Sequence, residues 1–92
     1  MPPTNQTPQA RFAANVERLR ERRKMTQEQL GWAAGLHQTA VARIESGERK
    51  PTLDTIFKLA AGLEIAPADL FAGIDYRGPN EGGAASGKAK LG

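Results

Sequence analysis

Gln38, Thr39, Arg43 and Ser46 sit close together in the stretch GLHQTAVARIESGERKP, residues 35–51. Between them they offer an amide that donates and accepts hydrogen bonds, two hydroxyls, and a planar guanidinium with five N–H donors. This is chemistry for recognising another hydrogen-bonding surface rather than for making or breaking bonds. Bond-making chemistry finds no support elsewhere. The chain has no cysteine and a single histidine, His37, so a zinc site lacks a ligand set. Its only serines are Ser46 and Ser86, and no histidine–carboxylate pair is suggested beside either. No enzyme, metal or cofactor is expected.

To present those four side chains together, the stretch must be helical. At about 100° per residue, Ala40, Val41 and Ile44 gather on one side, and Gln38, Thr39, Ala42, Arg43 and Ser46 on the other. Gly47 ends this helix and Pro51 blocks its continuation. Around it the chain predicts four more short helices. Phe12, Val16 and Leu19 form one stripe of a first helix that begins at Gln9 and ends near Lys24. Thr26 with Gln29 three residues on makes a capping box for a second, Gln27–Ala34, with Leu30, Gly31 and Ala34 inward and Gly35 as its left-handed stop. Thr52 caps a fourth, with Asp54 in its first turn and an apolar face of Leu53, Ile56, Leu59, Ala60 and Leu63. Pro67 opens a one-turn fifth helix with Leu70 and Phe71 facing in. No strand alternation or internal repeat is present. The domain is expected over 9–76, between a proline-containing mobile arm (1–8) and a disordered tail (77–92) in which five of sixteen residues are glycine.

Charge is distributed unevenly. Residues 11–50 carry nine Lys/Arg against five Asp/Glu, whereas residues 51–76 carry one Lys against four acids. That asymmetry fits a polyanion-facing half joined to a half that avoids one, and it also fits ordinary solvated helix faces. No run approaches the ~18 apolar residues of a membrane span, and no signal-peptide pattern opens the chain. A soluble cytoplasmic protein without membrane association is the expectation.

Two short helices joined by a glycine-bearing turn, the second with a polar outer face, describe a helix-turn-helix. The second helix of that motif lies in the major groove of double-stranded DNA, where each base pair shows a distinct hydrogen-bonding edge. Gln38 and Thr39 supply donors and acceptors at the helix start, Ala42 lets the backbone approach, and Arg43 reaches a guanine with two hydrogen bonds. Arg49 and Lys50, just beyond the helix, suit phosphates or an adjacent minor groove. His37 is either the cap of this helix or a phosphate contact. In RLRERRK (18–24), most charges are a solvated helix end, with Arg22, Arg23 or Lys24 placed to add phosphate attraction. Trp32 packs its ring along the first helix or meets a partner. Phe71, Ile74 and Tyr76 exceed what a fifth helix needs for closure, so they form either a satellite core or a dimer seam.

The run MTQEQLGWAAGLHQTAVARIESGERKPTLDTIFKLAAGLEIAPADLF resembles the phage-repressor/Cro-type, or Xre-like, helix-turn-helix family, over about Phe12–Phe71. The resemblance implies an all-α fold, a compact five-helix lambda-repressor-like domain. It implies base reading by Gln38, Thr39 and Arg43, a phosphate contact near Ser46, and an ion pair of Arg20 with Glu45 beneath the motif. It also implies that Gln27 binds a phosphate and braces Gln38. The chain departs from the family where Lys24 replaces a glycine at the end of helix one and Gly31 replaces an alanine. The Gly31 change keeps the space at the helix-two/helix-three contact and costs roughly 1 kcal/mol of helix propensity. Trp32 replaces a polar residue, and Ala66 is a poor cap. The function implied is a transcriptional regulator, bacterial or phage-encoded, acting as a repressor on a palindromic operator as a homodimer. Glu28, on the exposed side of helix two, leaves activation open, and contact with RNA polymerase or an antagonist protein is a further expected partnership. The alternative on the same fold is an antitoxin-like or adaptor module that binds protein rather than operator.

Overall fold

Local caps set the ends of the elements in the computed structural model, which describes residues 7–75. The Thr7 hydroxyl accepts from the Ala10 N–H at 3.0 Å, and Pro8 takes the first position of α1, Pro8–Arg22. The helix thus starts one residue ahead of its expected beginning. Residues 1–6 of the expected arm and the whole expected tail lie outside the described residues.

Helix α2 spans Gln27–Ala34. Both halves of its capping box form: the Gln29 N–H donates to Thr26 Oγ1 at 3.0 Å, and the Thr26 N–H donates to Gln29 Oε1 at 2.8 Å. Gly35 closes it at φ 74°. Helix α3 is Gln38–Glu45, with Ser46 as its C-cap and His37 Nδ1 accepting from the Thr39 N–H at 3.1 Å. Helix α4, Leu53–Leu63, is capped by the Thr52 hydroxyl, which accepts from the Thr55 N–H at 3.1 Å.

The expected fifth α-helix is a 3-10 turn instead, Pro67–Phe71. Ala66 gives it no side-chain cap, and its Asp69 N–H reaches back only three residues, to the Ala66 carbonyl at 2.9 Å. Asn15 of α1 then captures the Leu70 and Ala72 carbonyls with its Nδ2 group, at 2.9 and 3.0 Å. Those acceptors are therefore occupied by a side chain rather than by a further helical turn. The architecture is four α-helices and one 3-10 turn, with no strand among the described residues.

Val16, Leu30, Val41, Ile44, Leu59, Leu63 and Leu70 are fully buried and form one core joining every element. Helix α2 lies at the centre, against both α3 and α4. The α2–α4 approach is close because Gly62 has no side chain, and a Cβ there would sit 2.9 Å from the Ala34 nitrogen. Two apolar expectations are corrected. Leu53, at the first position of α4, is 69% exposed rather than part of the buried face. Trp32 is 76% exposed, so its ring does not pack along α1.

Candidate nucleic-acid interface

Helix α3 has its rotation fixed by two side chains. Val41 and Ile44 are buried in the core, which forces Gln38, Thr39, Arg43 and Ser46, all exposed, onto the outer face. Ala42 lies among them and is only half-buried, so the middle of the face carries no bulky group. His37 is exposed at the start of the helix and Arg49 and Lys50 just past its end. The result is a continuous rod of donors and acceptors with cations at its C-terminal end.

The end of α3 is finished by contacts that leave these side chains outward. Ser46 Oγ donates to the Arg43 carbonyl at 3.0 Å and accepts from the Glu48 N–H at 3.3 Å. The Arg49 N–H donates to the same Arg43 carbonyl at 3.2 Å. Gly47 turns the chain at φ 84°, a left-handed value that a side chain would strain. From α1, Gln9 Nε2 donates to the Gly47 carbonyl at 2.5 Å, anchoring the turn to the first helix. The Arg43 guanidinium lies 4.0 Å from Glu48, and both side chains are largely exposed, so the pair is worth little energetically.

Beneath α3 the polar groups are arranged differently. Glu45 is nearly buried, with 4% of its side chain exposed. It accepts from Arg20 Nε at 2.6 Å, from Arg20 Nη2 at 3.0 Å and from Gln27 Nε2 at 3.0 Å. Arg20 also donates from Nη1 to the Met25 carbonyl at 2.7 Å. The hydrogen bond with Glu45 raises the guanidinium's pKa above its ordinary value, against the opposing cost of burial. Losing either partner would leave a charge uncompensated in a buried site, a loss of about 3–5 kcal/mol.

At three places the geometry adds partners that sequence did not show. Gln27 is held by Glu45, and no hydrogen bond joins it to Gln38. Phe71 and Ile74 touch the core without being closed off: the Phe71 ring meets Phe12 with centroids 5.6 Å apart yet is 44% exposed, and Ile74 packs partly buried against the core. Tyr76 lies outside the described residues. Arg23 lies along the surface, 41% of its side chain exposed, and donates to the Leu63 carbonyl at 2.6 Å, tying the end of α1 to the end of α4.

Asn15 and Gln9 were not singled out by pattern. Asn15 sits between Phe12 and Val16 on the buried stripe of α1, and a polar residue in that register signals an internal hydrogen-bonding role. Its Oδ1 accepts from Arg18 Nη2 at 3.1 Å while its Nδ2 is spent on the terminal turn. Gln9 carries no comparable signal, since its acceptor is 38 residues away. Among the described residues no group of three or more metal-ligating side chains exists, and no helix is long and apolar enough to cross a membrane.

Comparison with known proteins agrees with this geometry. A helix-turn-helix family model matches residues 16–70. The control protein C.BamHI of Bacillus amyloliquefaciens is 37% identical over 60 residues, 64% of this chain and 74% of that protein. The control protein C.SmaI of Serratia marcescens is 41% identical over 59 residues, 64% of this chain and 70% of that one. Among solved structures, the restriction-modification controller protein C.AhdI from Aeromonas hydrophila superposes with a TM-score of 0.66 at 35% identity, covering 67% of this chain and 94% of that chain. The chain belongs to the helix-turn-helix family and is a DNA-binding transcriptional regulator.

Proposed function

We propose that this regulator binds a palindromic operator as a homodimer, reads bases with Gln38, Thr39 and Arg43, and serves as a controller of the kind its named relatives are. The observation that carries this reading is the outer face of α3, polar along its length and locked in rotation by Val41 and Ile44. Gln27, His37, Ser46, Arg49 and Lys50 hold the DNA backbone around that face. The setting is the cytoplasm of a bacterium, and repression follows where the operator overlaps a promoter. Glu28 and Trp32, exposed together on α2 beside a cavity of about 240 Å³ that reaches His37 and Gln38, leave a surface for RNA polymerase or an antagonist protein.

A domain this small reads few base pairs, and a twofold dimer doubles the contact while placing the reading helices ~34 Å apart, one turn of DNA. The greater exposure of the α4 apolar residues favours a seam there over one at Phe71, which is 44% exposed, and Ile74. Leu53 and Phe57, one helical turn apart, are 69% and 53% exposed. The Asp54–Lys58 pair at 3.3 Å lies beside them. Two antiparallel copies of such a face are self-complementary, apolar on apolar with acid across from base.

Selecting bound duplexes from a random pool gives the operator and its symmetry. On that operator, Arg43→Ala is expected to lose about 1–3 kcal/mol, roughly 5- to 150-fold in affinity, and to relax sequence preference at one position in each half-site. Unchanged affinity and preference would remove the base-reading assignment and favour the adaptor reading. Replacing both Leu53 and Phe57 with Ser should leave only monomer in sedimentation equilibrium, whereas Phe71→Ala should stay dimeric. The reverse pattern would move the seam to the terminal turn.

A further inference from the structure

We infer that Glu45 is a positioning residue for DNA binding: through its hydrogen bond to Gln27 it forces that carboxamide to present an N–H, rather than its oxygen, to the DNA backbone. The inference rests on the proposed phosphate contact of Gln27. Gln27 opens α2 and is half-buried, with its Nε2 group 3.0 Å from Glu45 Oε1. A carboxamide can rotate end for end and offer either a carbonyl or an NH₂ group to a neighbour. Glu45 removes that freedom. Its carboxylate is held by Arg20 Nε and Nη2 and accepts only, so the flipped amide would set oxygen against carboxylate oxygen.

One Nε2 proton is thereby committed to Glu45 and the second remains for an outside acceptor. A phosphate oxygen, which only accepts, is the group such a proton suits. The arrangement also gives the buried ion pair a task beyond stability. It joins α1 through Arg20, α2 through Gln27 and α3 through Glu45 itself. The end of the reading helix and the backbone-gripping end of α2 therefore move as one piece.

The test measures operator affinity at one fixed salt concentration for the full chain and for Gln27→Ala, Glu45→Gln and the double variant, each checked for folding by circular dichroism. Gln27 is uncharged, so its contact shows in affinity and not in counterion release. Gln27→Ala is expected to weaken binding by about tenfold per protomer, as for loss of a hydrogen bond to a charged group. Glu45→Gln is expected to weaken it too, and the double variant no more than Gln27→Ala alone. If Gln27→Ala weakens binding while folded Glu45→Gln stays at the wild-type value, or if the two losses multiply in the double variant, the positioning role is overturned while the phosphate contact stands. If Gln27→Ala leaves affinity unchanged, the phosphate contact itself is refuted, and the inference with it. Should Glu45→Gln fail to fold, amide exchange in the unaltered protein decides the matter. One Gln27 Nε2 proton should exchange several-fold more slowly than those of exposed Gln38, and equal rates would overturn the inference.

Discussion

Replacing Gly31 with alanine tests how tightly the two helices of the motif are fitted together. On helix propensity alone the change should help, since alanine is favoured over glycine in a helix interior by about 1 kcal/mol. The sequence reading, in which Gly31 merely keeps space, leads to the same sign. The geometry reverses it. A Cβ at position 31 would lie 2.6 Å from the Leu36 carbonyl oxygen, 3.4 Å from the Gln38 nitrogen and 3.5 Å from the His37 carbonyl carbon. Ordinary carbon–oxygen approach is about 3.3–3.6 Å, so several tenths of an ångström must be found by moving backbone. That backbone is not free to move, because the Leu36 N–H donates to the Gly31 carbonyl at 2.8 Å and His37 caps α3. Overpacking of this kind costs about 1–3 kcal/mol, which outweighs the propensity gain at all but its lower end.

A net loss of about 1 kcal/mol is therefore expected for Gly31→Ala, a fall of about 4–8 °C in melting temperature for a domain of this size. Function should suffer as well. The atoms that must yield are the ones that start the reading helix, so Gln38 and Thr39 shift together and operator affinity should fall about fivefold, in line with ~1 kcal/mol. Differential scanning calorimetry and operator titration of the same preparation measure both effects. A melting temperature raised by several degrees with affinity unchanged would refute the reasoning, because it would show that the turn relaxes freely around a methyl group.

Four further substitutions address other parts of the frame. Lys24 and Glu64 both sit in the left-handed region, at φ 58° and 60°, so Lys24→Gly and Glu64→Gly should each stabilise by about 0.5–1 kcal/mol in urea denaturation. Destabilisation by Glu64→Gly would instead mean that its exposed contact with Arg23, at 3.4 Å, matters more than surface pairs usually do. Asn15→Ala strands the Leu70 and Ala72 carbonyls, and a loss of about 1–3 kcal/mol is expected, accompanied by early hydrogen exchange in the terminal turn. Unchanged exchange there would show that Asn15 does not hold the turn. Thr26→Ala removes one half of the capping box and should cost about 1 kcal/mol of thermal stability, with no loss if water replaces the hydroxyl fully.

What could be read from sequence follows the range of the interaction involved. The ends of α2, α3 and α4 were readable because caps act over two to three residues: Thr26 with Gln29, His37 with Thr39, Thr52 with Thr55. The outer face of α3 was readable because two inward residues fix a period. The terminal helix is a 3-10 turn and goes no further because carbonyls at its end are taken by Asn15, 55 residues earlier in the chain. Nothing local to Pro67–Phe71 records that competition. The exposure of Leu53 was hidden for a similar reason. Leu53 belongs to the apolar stripe by angle, but side chains lean toward a helix's N-terminus, and at the first position there is no core left to lean on.

The long-range polar contacts explain how so small a domain can hold a reading helix rigidly. Apolar packing through Val41 and Ile44 sets the rotation of α3 but resists sliding along the helix axis only weakly, since one methyl group can replace another. Directional contacts supply what packing lacks. At the C-terminal end, Gln9 grips the Gly47 carbonyl and Arg20 grips Glu45, both reaching from α1. At the N-terminal end, the absence of a side chain at Gly31 seats the Leu36–Gln38 backbone directly against α2. With α3 fixed in rotation by its core residues and in position at both ends, the proposed base readers Gln38, Thr39 and Arg43 need no shift of the helix on binding. A site that must discriminate among base edges by hydrogen bonds needs this placement, because a shift of about half an ångström already degrades a two-point contact.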